Sequence, residues 1–123
     1  MTRAETLKYA QDWIANWNRR DLEAVLAHFA DDVRFHSPKA EMLAGKAEVV
    51  GKPALRAYWT QALAKLPSLH FTFEHLAWDD AARELALYYI ADVEGLKVRA
   101  CEVARFDAQG RVVYGAAYYG GQV

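Results

Sequence analysis

The chain has one cysteine, Cys101, so it cannot close an internal disulfide, and a single thiol suits a reducing compartment. No apolar run approaches the roughly 18–20 residues that a membrane-spanning helix needs. The opening residues Met1-Thr2-Arg3-Ala4-Glu5 lead into an amphipathic pattern, not the unbroken apolar core of a secretion signal. Charge of one sign is also missing: 15 Lys and Arg stand against 16 Asp and Glu, for a net −1. Without a basic stripe, the electrostatic footprint of a nucleic-acid partner is absent. Nor is there a repeat, a low-complexity tract or a Pro/Gly/Ser linker at which to divide the chain. These absences predict one domain over residues 1–123, cytoplasmic, with neither a membrane nor a nucleic acid as partner.

What remains is a chain that is 54% hydrophobic and 25% charged over 123 residues, the balance of a compact globule with a real core. Leu7, Ala10, Ile14 and Trp17 recur at helical spacing, with Tyr9 and Trp13 beside that stripe. Asp21 has the chemistry of an N-cap for a second helix, whose apolar face would be Leu22, Val25, Leu26 and Phe29, ended by Asp31-Asp32. Residues 33–37 alternate as a short strand and stop at Pro38. A loop from about Lys39 to Lys52 follows, long enough for a lid or rim. Pro53 then opens a third helix with Leu55, Tyr58, Trp59, Ala62, Leu63 and Leu66 inward.

The remainder reads as strands over residues 69–78, 84–93, 96–106 and 111–119, separated by the turn signals Asp79-Asp80, Glu94-Gly95 and 107–110. Helices first and a meander afterwards predicts an α+β fold: three helices packed on a curved antiparallel sheet that forms a conical barrel around a pocket.

The turns predict which side chains share a face. A two-residue hairpin at Glu94-Gly95 sets Val93 opposite Leu96 and Tyr89 opposite Ala100. A loop over 107–110 sets Phe106 opposite Arg111 and Glu102 opposite Gly115. One face then carries Leu87, Tyr89, Ala91, Val98, Ala100, Glu102, Ala104, Val113, Gly115, Ala117 and Tyr119. Its alanines and Gly115 leave volume where a packed sheet places larger side chains, which points to a cavity with Glu102 as its main polar group. The other face mixes Tyr88, Ile90, Asp92, Lys97, Arg99, Cys101, Val103, Arg105, Val112, Tyr114, Ala116 and Tyr118. That composition suits a homodimer interface better than a solvated surface.

Residues 13–14 and 21–25, then Phe29-Ala30-Asp31-Asp32-Val33 to Ser37-Pro38, resemble the opening of nuclear transport factor 2-like proteins. Gly51 with Leu55, Tyr58 and Trp59 is similar to that superfamily's third helix, and residues 102–112 to its last hairpin. Within it, the chain resembles the SnoaL-like and ketosteroid-isomerase-like branch. The resemblance implies a conical α+β barrel with a pocket between helices and sheet, frequent dimerisation, and chemistry that varies from isomerase to simple binder. The isomerase residues carry over poorly. Ser37 stands where the resemblance implies a general-base Asp, Trp13 where it implies an oxyanion-hole Tyr, and Phe29 and Trp59 where it implies supporting tyrosines. Only Glu102 keeps a carboxyl, at the place of the second oxyanion acid. Serine cannot act as a carboxylate base, so the resemblance does not extend to steroid isomerisation.

Desolvation in an apolar pocket would raise the pKa of Glu102 and suit it to acid/base work; a carboxylate tied to Tyr89 or an Arg is the structural alternative. Tyr89 and Tyr119 are its expected hydrogen-bond partners, Ser37 and Trp13 its expected ligand contacts, and Trp59 a further wall. His36 alternates onto the opposite face from Ser37. His70 and Glu74, about 13 Å apart on a strand, cannot share an ion, so no metal is expected. Two functions follow: a cofactor-free lyase, isomerase or cyclase acting on a small apolar carbonyl compound through Glu102, or a non-catalytic ligand-binding or dimerisation module. The sequence leaves open whether Glu41, Lys46 or Glu48 enters the site from the 39–52 loop.

Overall fold

A computed structural model describes the backbone of residues 1–123 and every side chain except those of Leu43 and Ala44. Four helices and six strands follow one another: α1 (Arg3–Asn18), α2 (Leu22–Leu26), β1 (Phe29–His36), α3 (Pro38–Ala44), β2 (Glu48–Val50), α4 (Lys52–Ala64), β3 (Leu69–Asp79), β4 (Glu84–Val93), β5 (Leu96–Phe106) and β6 (Val112–Gln122). The strands form one open sheet in the order β2-β1-β6-β5-β4-β3. It is mixed, not wholly antiparallel, because β1 runs parallel to β6. No described helix is long and apolar enough to cross a membrane.

Helix α1 starts at a capping box. Thr2 Oγ1 accepts from Glu5 N–H at 3.1 Å, and Glu5 Oε1 accepts from Thr2 N–H at 2.8 Å. Its buried stripe of Tyr9, Ala10, Trp13, Ile14 and Trp17 has the spacing of one helix face and lies over the sheet. At the C-terminal end, the Asn18 side chain donates to Phe71 O at 2.9 Å and accepts from Phe71 N–H at 2.7 Å. The amide thus acts as a one-residue strand neighbour for β3, which lies at the sheet edge.

Two sequence expectations change here. Helix α2 stops at Leu26, and Phe29 opens β1, because the backbone there is drawn into the sheet: Val112 N–H donates to His28 O at 2.8 Å. Tertiary pairing overrides the helical spacing of Leu22, Val25, Leu26 and Phe29. The supposed 39–52 loop is also ordered structure. Ser37 caps α3, its Oγ accepting from Lys39 N–H at 3.2 Å, and Gly45 ends the helix at φ 77°. Strand β2 then pairs with β1, Phe35 opposite Val49. The helices therefore number four, and no free lid spans the stretch.

The β4–β5 register is as expected, Val93 opposite Leu96 and Tyr89 opposite Ala100. The β5–β6 register is not: Glu102 pairs with Ala117 and Ala104 with Gly115, while Phe106 pairs with Val112. An irregularity between Arg105 and Phe106 leaves Val113 as the extra residue, which moves Val112 into the core, fully buried, and Val113 off the inner face. From Ala100 to Arg105 the error is two residues, so Gly115, Ala117 and Tyr119 keep the expected face; a further shift between Val98 and Ala100 sets Val98 opposite Gln122. In β3, a bulge between Phe73 and His75 lets Phe71 and Phe73 face the core together with Leu76 and Trp78.

Candidate functional site

Trp13, Ser37, Trp59, Tyr89, Glu102 and Tyr119, gathered from α1, the β1–α3 junction, α4, β4, β5 and β6, all line one cavity of about 90 Å³ between the helices and the sheet. Of the small residues read as leaving space, Ala91 and Ala117 do border it. Gly115 does not, because the ring of Phe35 fills the space above it. The cavity is mostly aromatic. Trp13 stacks on Phe71 at 5.5 Å and meets Tyr89 edge-on at 5.1 Å, and Trp59 receives Trp17 and Phe35 edge-on, each at 5.1 Å.

Glu102 is 5% exposed and points its carboxyl into this space. No hydrogen bond or ion pair joins it to any described side chain, so neither Tyr89, Tyr119 nor an Arg holds it as expected. Burial alone pushes its pKa well above the ordinary 4.5. The carboxyl therefore keeps its proton past the pH at which an exposed glutamate ionises. Burial, and next the Glu102 charge, also raise Tyr9, Tyr89 and Tyr119, which remain neutral phenols. Burial raises Tyr58 as well, and a hydrogen bond with Ser37 pulls it partly back.

Ser37 is 2% exposed, its hydroxyl caps α3, and it lines the cavity together with the phenols of Tyr58 and Tyr119. His36 turns to the opposite face. Its Nε2 lies 2.8 Å from Glu48 Oε2 and its Nδ1 3.2 Å from the Tyr114 hydroxyl, so it gives Ser37 no base. Glu48 is engaged there and with Arg34, Glu41 lies outside in a neighbouring groove, and neither borders the cavity. The Nε1–H groups of Trp13 and Trp17 are buried without an acceptor among the described residues.

The sequence reading passed over Lys39, Phe35 and Phe71. Lys39 was hidden by the supposed loop; with Pro38 opening α3, it stands at the mouth, its Nζ 4.2 Å from the Tyr119 ring centroid. Phe71 was legible in principle. Apolar residues fall at 69, 71 and 73 and then at 76 and 78, a change of parity that marks a bulge. Among the described residues no His, Cys, Asp and Glu cluster is arranged to hold a metal ion.

The SnoaL-like domain model matches residues 10–115. A SnoaL-like protein of unknown function from Burkholderia thailandensis E264 is 34% identical, with 98% of each chain covered and a TM-score of 0.87. An NTF2-like protein of unknown function from Burkholderia pseudomallei K96243 shares the fold at 19% identity, covering 98% of this chain and 92% of that one, with a TM-score of 0.81. So does a computationally designed 17-OHP binder, at 24% identity, 94% and 90% coverage and a TM-score of 0.72. No curated protein matches the chain. The chain belongs to the SnoaL-like family.

Proposed function

We propose that this SnoaL-like domain is a cofactor-free enzyme of the lyase, isomerase or cyclase kind, acting on a small, largely apolar carbonyl compound. The observation that carries the reading is Glu102: a lone carboxyl, buried, unpartnered and directed into an aromatic cavity. Ionising it there is costly, so chemistry that begins and ends with a neutral acid suits the site. A carboxyl group can manage this with its two oxygens. Its O–H delivers a proton to the substrate carbonyl oxygen while its C=O oxygen takes the proton from the adjacent carbon. The substrate becomes its enol, and Glu102 ends as the same neutral acid with its oxygens exchanged in role. Tyr89 and Tyr119 line the same cavity as neutral donors, and Trp13, Trp59 and Ser37 shape the space around the substrate.

The cavity volume of about 90 Å³ sets the scale. It lies below the roughly 150 Å³ of an engineered cavity that takes up benzene. A body of a few carbon atoms fits, with any further group at the mouth. The related designed protein is a 17-OHP binder; the ligand proposed here is smaller.

The test follows exchange of α-protons for deuterium by NMR in cyclopentanone and 2-oxobutanoate. The protein should accelerate exchange in at least one of them, and Glu102→Gln should lower the rate about 100-fold or more while leaving the fold intact. Retained exchange in that variant overturns the assignment. A second reading, a non-catalytic binder, is favoured by one observation: the described lining residues include no second carboxylate. Binding of these compounds without any exchange would establish it. We further propose a homodimer through the outer sheet face, in the cytoplasm to which the single Cys101 points.

A further inference from the structure

Lys39 is the cation and Glu102 the carboxyl among the side chains lining the cavity; no ion pair joins the two, and burial disfavours charge on Glu102. Lys39 therefore has no paired counter-charge inside. It has none outside either among the described residues. Lys8, Arg34, Arg56, Arg99 and Arg105 each meet a carboxylate within 3.1 Å, but the Lys39 ammonium meets only the face of Tyr119. A cation on an aromatic ring at the rim of an apolar cavity keeps its remaining N–H donors available.

The groups around it point the same way. With Lys39 in the cavity lining stand the Ser37 hydroxyl, 2% exposed, which accepts from Lys39 N–H, and the phenols of Tyr58 and Tyr119. Glu102 lines the same cavity, and its burial disfavours the charged form. Each of these groups can donate a hydrogen bond and Lys39 adds a positive charge, so an anionic ligand would bring both the acceptors and the counter-charge that suit them.

We infer that the ligand is an anion, a small keto acid whose apolar body occupies the aromatic cavity and whose carboxylate lies at the mouth against Lys39, Tyr119 and Ser37. This rests on the function proposed above and narrows its substrate class. An anion there also disfavours ionisation of Glu102, so ligand and acid reinforce the same protonation state. Lys39 is then the residue that selects acids over neutral carbonyl compounds. Its aliphatic stem lets it do so from the first turn of α3 without entering the cavity.

The experiment compares 3-methylbutanoate with 3-methylbutanamide, which share a body and differ in charge. Both are titrated at neutral pH, and binding is followed by the tryptophan indole N–H signals. Wild type should bind the carboxylate about tenfold more tightly or better. Lys39→Met should bring the two within about twofold by weakening the carboxylate alone, and Lys39→Arg should restore the preference. Equal binding to wild type, or a preference that survives Lys39→Met, overturns the inference and leaves the cavity's role standing. Binding of neither compound overturns both.

Discussion

Phe35 lies so close over Gly115 that a Cβ at that glycine would stand 3.0 Å from Phe35 Cδ2. The pair joins β1 to β6 and seats the ring that meets Trp59 at the cavity wall. Gly115→Ala should therefore destabilise the protein by about 1–3 kcal/mol through overpacking. Urea unfolding would measure it. A loss below about 0.5 kcal/mol would mean that Phe35 yields easily and that Gly115 has no such role.

The buried carboxyl makes a prediction about pH. The Glu102 pKa is raised on folding, so the folded chain holds a proton that the unfolded chain loses above about 4.5. Stability should then fall by about 1.4 kcal/mol per pH unit between the unfolded and folded values, from this group alone. Glu102→Gln removes that slope. The variant should gain on wild type as pH rises from 4 to 8, with the difference vanishing near pH 4. Thermal unfolding across that range checks it, and parallel curves would show that Glu102 ionises freely in the folded state.

Asn18 makes a separate claim on stability. It holds both backbone groups of Phe71, at 2.9 and 2.7 Å. Replacing it with Ala should cost about 1–3 kcal/mol, since a partly buried N–H and C=O lose their partner together. Amide exchange at Phe71 should accelerate more than exchange elsewhere in β3. A uniform change would point to a general loss of stability instead.

The outer face carries the fourth prediction. Tyr88, Cys101 and Tyr118 stand side by side on β4, β5 and β6, with Tyr88 41% and Tyr118 57% exposed. If this face pairs with a second copy, sedimentation should report twice the 13.9 kDa chain mass. Tyr118→Arg should shift it to the monomer without unfolding it. A wild-type monomer at micromolar concentration would end the dimer proposal.

The sequence was most informative where a turn fixes geometry by itself. Glu94, at φ 53°, and Gly95, at φ 86°, leave one way to join their strands, so the Val93–Leu96 pairing could be read directly. The 107–110 turn gave the correct strands but the wrong register, because the extra residue at Val113 is set by packing of Val112 beneath the helices and not by turn chemistry. Glu102, Ala117 and Tyr119 could be placed because period-two alternation survives a two-residue slip, whereas Trp13 was legible through helical spacing and the family resemblance. Lys39 could not be placed, since seven residues opened by Ser-Pro carry too little periodicity to separate a short helix from a loop.

Strand β6 lies between β1 and β5, although β1 is the first strand made and β6 the last. During vectorial synthesis, residues 29–36 can pair with β2 on one edge at once, but the partner for their other edge is some eighty residues away. The meander from β3 to β5 can zip locally as it emerges, but the cavity acquires its Ala117 and Tyr119 wall only when the final strand inserts. Until then Trp13 has Phe71 and Phe35 has Trp59, but the side of the cavity that β6 closes stays open. The step that completes the cavity is therefore the last pairing the chain makes.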